Sequence, residues 1–110
     1  MILRQIDKEN ILKIAKELFG NSVKILVYGS RVSGEAHDTS DLDLAIISKD
    51  NKKLDIYKLE EFKERLRDSN IPILIQAIDW YRVPKSFHKN ILSNYKELIW
   101  NISSQMILEY

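Results

Sequence analysis

An apolar run, Lys24-Ile25-Leu26-Val27-Tyr28, stops at Gly29-Ser30, and ten residues later the chain reads Asp41-Leu42-Asp43 as it enters a second apolar run. β-Branched and aliphatic residues at this density predict two strands joined by a short helical turn and a polar loop. Side chains at i and i+2 of a strand share a face, roughly 6.5–7 Å apart at Cα. Asp41 and Asp43 therefore face one way, with Ala45, while Leu42, Leu44 and Ile46 face the other. Two carboxylates forced together repel unless a cation neutralises them. A hard divalent ion wants such oxygen ligands and keeps part of its water. A tight Gly-Ser turn offers backbone N–H groups to phosphate oxygens. The pattern thus predicts a cradle for a nucleoside triphosphate and its magnesium. These four residues at this spacing should arise by accident in roughly one chain of this length in a thousand.

Composition narrows the setting. At 110 residues the chain is expected to be one domain, 1–110, with a single modest core. A net charge of +1 gives no bulk field toward nucleic acid or anionic lipid, so neither is expected as a direct partner. No apolar run approaches the length of a membrane span, and the first residues lack a signal-peptide core. Cysteine is absent, which removes disulfides and thiolate metal sites. The expected location is the cytoplasm.

Around the two strands the pattern is helical. Ile11, Leu12, Ala15, Leu18 and Phe19 repeat at helical spacing from Asp7, a candidate N-cap, to Gly20, a candidate C-cap. A charged amphipathic helix is predicted from Leu54 to Ser69, its buried side marked by Ile56, Leu59, Phe62 and Leu66. Ile73–Asp79 is apolar on both faces and is expected to be a central or well-covered strand. Pro84 suits the first turn of a last helix in which Phe87, Ile91 and Tyr95 share a face. The fold class is α+β: a small mixed sheet with helices packed mainly on one face. The tail, 96–110, includes Trp100 and Met106-Ile107-Leu108, and either completes the core or docks on a partner.

The residues Gly29-Ser30-Arg31, Gly34 and Ser40-Asp41-Leu42-Asp43-Leu44 resemble the signature of the polymerase beta-like nucleotidyltransferase superfamily, in its minimal stand-alone branch. The likeness spans about 23–91. It implies a polymerase beta palm-like core and nucleotide transfer dependent on magnesium or manganese, with ATP as substrate. It also implies a metal-binding and catalytic role for Asp41 and Asp43, and nucleotide contacts from Gly29, Ser30, Arg31 and Ser40. Arg31 would clamp a phosphate or brace the turn, and Ser40 would support the approach to Asp41. Gly34 reads as a turn residue and His37 as a loop histidine beside the site. Members of this branch resemble antitoxins of toxin–antitoxin pairs that transfer AMP to a helical HEPN-domain partner, so a hetero-oligomer is implied.

One position departs from the family pattern. The third strand there supplies another metal carboxylate, in a motif ending in Asp-Trp. Aligned on Asp79-Trp80, that position falls on Gln76. Residues three apart on a strand face opposite ways, so Asp79 is expected to turn from the site if Gln76 faces it. An amide is a neutral, weaker ligand and no base. Two readings follow: an AMP-transferring enzyme, or a catalytically weakened relative that neutralises its partner by binding.

Overall fold

The computed structural model describes residues 3–29, 32 and 41–99. Four strands form one sheet in the order β3-β2-β1-β4. Strand β1 (Val23–Tyr28) lies antiparallel to β2 (Leu42–Ser48), with Tyr28 opposite Asp43 and Ile25 opposite Ile46. Strand β3 (Ile75–Asp79) is parallel to β2 and sets Gln76 beside Asp43. Strand β4 (Tyr95–Leu98) runs antiparallel along the other side of β1. The sheet is mixed, as the α+β expectation required. Among the described residues no helix is long and apolar enough to cross a membrane.

Two helices cover one face. Helix α1 (Gln5–Phe19) brings Ile11, Ile14 and Ala15, and helix α2 (Ile56–Arg67) brings Leu59, Phe62 and Leu66. They meet Ile25, Val27, Leu42, Leu44, Ile46 and Ala77 in the main core. Phe19 and Phe62 join the helices, ring centroids 5.9 Å apart. Each such side chain, once buried, contributes about 1.5–3 kcal/mol, so this layer dominates stability. The opposite face is thinner. Leu26 and Ala45 meet Ile91 of helix α3 (Lys85–Leu92), flanked by Tyr28, Ile78, Trp80 and Phe87. His88 stacks on Trp80 at 3.7 Å between ring centroids, and its Nε2 lies 2.6 Å from the Trp80 carbonyl. A carbonyl can only accept, so the imidazole nitrogen donates.

Several local expectations change. Helix α1 begins earlier, with Arg4 as N-cap, and Asp7 is buried inside it, bound by the Arg4 guanidinium at 2.7 and 3.0 Å. Gly20 does end the helix, at φ +64°, and its N–H donates to the Lys16 carbonyl. Helix α2 begins at Ile56 because Asp55 caps it, accepting from the N–H groups of Tyr57 and Lys58. Ile56 is therefore in the first turn and exposed, not on the buried side. Strand β3 is an edge strand rather than a central one. Its apolar residues are covered from above and below by helices, not by flanking strands. Tyr95 leaves the last helix and opens β4, because Ser93 and Asn94 turn the chain back along β1. Trp100 and Met106-Ile107-Leu108 lie outside the described residues.

One buried acid ties these parts together. Asp79, 2% exposed, accepts from Leu54 N–H at 2.8 Å, Tyr81 N–H at 3.0 Å and Arg82 Nε at 3.0 Å. Arg82 also donates to the Leu54 carbonyl. Removing the carboxylate leaves three donors short of a partner in the interior. Asp79→Ala is expected to lose about 3 kcal/mol of unfolding free energy in urea denaturation, with Asp79→Asn losing less because one acceptor oxygen remains. A loss under about 0.5 kcal/mol for the alanine variant would show that the knot is not structural.

Candidate active site at the β1–β2 turn

Asp43 is fixed by the sheet. It pairs with Tyr28 on one side and Gln76 on the other, so all three side chains form a row across one face. This face also carries Leu26 and Ala45 and is covered farther along by helix α3. Asp41 stands two residues earlier on the same face, at the mouth of β2, where the Leu42 N–H donates to the Leu74 carbonyl at 2.9 Å.

Gly29 completes the arrangement. Its φ is +85°, a backbone region that glycine enters without steric cost. A Cβ built there would lie 2.7 Å from Oδ2 of Asp43. The turn thus presses bare backbone against the carboxylate, and two separate constraints demand glycine. Its carbonyl accepts from the Val32 N–H at 3.1 Å, which tightens the turn.

Electrostatics follow from this crowding. The Asp43 carboxyl is pushed above the usual carboxylate range, first by burial and second by the neighbouring Asp41 charge. Burial, and then the Asp43 charge, also raises the Tyr28 hydroxyl. Gln76 donates from Nε2 to Oδ2 of Asp41 at 3.1 Å. Asp79, three residues on, points to the helix-covered side and is consumed by the knot described above.

Gly29, Asp41 and Asp43 therefore converge, with Gln76 at their side. Ser30, Arg31 and Ser40 lie outside the described residues, as do Gly34 and His37. Tyr28 belongs to the site by position, yet nothing in the sequence singles it out. Its place opposite Asp43 depends on the β1–β2 register, which a long connection does not encode locally.

The donor set suits one magnesium ion. Magnesium is commonly held by one or two carboxylates together with phosphate oxygens and water. Asp41 and Asp43 supply two hard oxygen donors on one face, and their mutual repulsion favours a dication between them. Among the described residues no group of three or more His, Cys, Asp or Glu side chains gathers here or elsewhere.

The sequence pattern of the polymerase beta nucleotidyltransferase family matches residues 9–104. The chain belongs to this family. Among nucleotidyltransferases of known sequence, it is 37% identical over 71 residues to the "Probable protein adenylyltransferase MntA" of Haemophilus influenzae. That match takes in 64% of this chain and 60% of the relative, so the chain spans about three fifths of the relative's length. Among solved structures, a toxin–antitoxin crystal structure with AMP-PNP superposes with a TM-score of 0.68 at 18% identity, covering 91% of this chain and 78% of the other. A Shewanella oneidensis complex of tri-AMPylated HEPN toxin with MNT antitoxin gives 0.64 at 15% identity, covering 94% and 77%. At these identities the likeness is one of nucleotidyltransferase fold.

Two outcomes test the geometry. Gly29→Ala is expected to cost about 1–2 kcal/mol for its left-handed backbone, plus the clash with Asp43. In an Asp43→Ala background, which removes the opposing oxygen, the cost should shrink; an unchanged cost in this double-mutant cycle would mean that the two do not touch. The second concerns pH. A carboxyl whose folded pKa lies above its unfolded value adds stability at low pH and loses it as pH rises through the folded pKa. Asp43→Asn is therefore expected to be more stable than the parent at pH 7 without metal, by no more than about 1 kcal/mol after solvent screening. The difference should close as pH falls below the usual carboxylate range, as read by thermal melts across pH.

Proposed function

We propose that this chain is a magnesium-dependent nucleotidyltransferase that moves AMP from ATP to a hydroxyl group of a HEPN-type partner protein, as the antitoxin of a toxin–antitoxin pair. The observation that carries this reading is the convergence of Asp41 and Asp43 beneath the bare backbone of Gly29. The name of the Haemophilus relative and the toxin–antitoxin neighbours, one with AMP-PNP and one with an AMPylated toxin, support it.

In this reading the Gly29 and Ser30 backbone and the Ser30 hydroxyl hold the β- and γ-phosphates, as turns before helices do. Arg31 neutralises a phosphate oxygen, and Ser40 braces the approach to Asp41. Asp41 and Asp43 hold the magnesium. When bound, the ion offsets charge at the α-phosphate and on the departing pyrophosphate. The acceptor oxygen forms a bond to the α-phosphorus, and the bond from that phosphorus to the bridging oxygen breaks in line. The hydroxyl proton passes to solvent or to a partner side chain, because the Gln76 amide has no basic lone pair for it.

A second reading rests on the Gln76–Asp41 hydrogen bond, which occupies a carboxylate oxygen with a donor where the family brings a further acid. On that reading the protein neutralises its partner by binding alone, with ATP as a structural ligand.

Transfer of label from α-phosphate-tagged ATP, with magnesium and the partner protein, separates the two. The enzyme reading expects label on the partner, lost by at least 100-fold in Asp41→Asn/Asp43→Asn while partner binding survives. Full neutralisation of the partner by that double variant, with no label in either case, would establish occlusion instead.

A further inference from the structure

The row Tyr28–Asp43–Gln76 is asymmetric. On the β1 side the acids meet the Gly29 turn; on the β3 side they meet an amide. We propose that Gln76 restricts the acidic pair to a single divalent cation, held on the Gly29 side, and closes the β3 side to a second. This rests on the metal-binding reading of Asp41 and Asp43 given above.

The argument is one of charge and donor direction. Two-metal sites hold ions roughly 3.5–4 Å apart, and that repulsion must be offset by anionic ligands shared between them. Among the described residues β2 and its mouth bring two carboxylates, and the side chain beside them on β3 is neutral. Moreover, Gln76 turns its Nε2 toward Asp41, at 3.1 Å from Oδ2. An N–H donor cannot ligate a cation, and the oxygen it engages is the one that faces β3 through this bond. Rotating the amide would present Oε1, but at the loss of this charge-assisted bond and without adding negative charge. Among the described residues no third His, Cys, Asp or Glu side chain joins the pair. Asp79, the other carboxylate of β3, is turned away and committed to three N–H donors on the opposite side. The Gly29 side differs: there the close backbone leaves Oδ2 of Asp43 next to the turn proposed to receive phosphates.

The consequence is a division of labour. One ion serves the nucleotide and the leaving group, and the acceptor hydroxyl receives no direct metal assistance from this chain. Gln76 acts as a positioning residue for Asp41, not as a ligand.

Metal stoichiometry tests this without reference to turnover. The full chain, saturated with α,β-methylene-ATP, is titrated with Mn2+, and bound ion is counted by the loss of free-ion electron spin resonance signal. One Mn2+ per chain is expected for the natural sequence and two for Gln76→Asp, the second at least 10-fold tighter than any further binding to the natural chain. Gln76→Glu provides the same test if the shorter acid misfolds. Two ions in the natural chain would overturn the proposal and leave the metal reading intact. Folded, nucleotide-bound acid variants that both stay at one ion would overturn it as well. An Asp41→Asn/Asp43→Asn chain that still holds its ion would instead reject the acidic pair as the metal site, and this inference with it.

Discussion

Everything at the site depends on a repulsion held in place by hydrogen bonds. Asp41 and Asp43 would separate if they could, but β2 is bonded on both sides, antiparallel to β1 and parallel to β3. Asp43 cannot turn away without breaking two ladders, and the Gln76 amide holds Asp41 at the mouth of the strand. Its other face is locked as firmly, since Leu42, Leu44 and Ile46 are fully buried beneath α1 and α2. The core therefore holds the unfavourable electrostatics that a cation could relieve. The strict alternation of a single strand sets the packed core on one face and the acids on the other.

The same logic explains the unequal coverage of the sheet. The face under α1 and α2 holds most of the buried aliphatic side chains, whereas the acid-bearing face is closed only in part by α3. Helix α3 is fastened by the His88–Trp80 stack and by the buried Ile91.

Much of this was legible in the chain. Alternation in Asp41–Ile46 specified which residues face the core, and the Asp-x-Asp spacing specified which share the opposite face. The opposition of Gln76 and Asp79 followed from period two alone. What failed was non-local. The continuous apolar run of β3 suggests a central or well-covered strand; it is the second, an edge strand packed on both faces, and a run cannot tell these apart. Tyr95 fits the α3 periodicity, but pairing with Tyr28 claims it for β4. Asp7 is the expected N-cap of α1, and no cap is expected at Asp55. Only Asp55 serves as one, because Arg4 draws Asp7 into an ion pair one turn inside the helix.

The alternation of β2 has a further consequence, for folding rather than chemistry. Slipping β2 by one residue against the helices would carry both carboxylates into the layer around Phe62 and bring Leu42 and Leu44 to solvent. An unpaired buried carboxylate costs several kcal/mol, so a misregistered hairpin is rejected twice over. A central strand made only of Val, Ile and Leu would have several near-equal pairings. The acid pair thus acts as an index mark on the sheet, rejecting every slip by an odd number of residues before any ligand arrives.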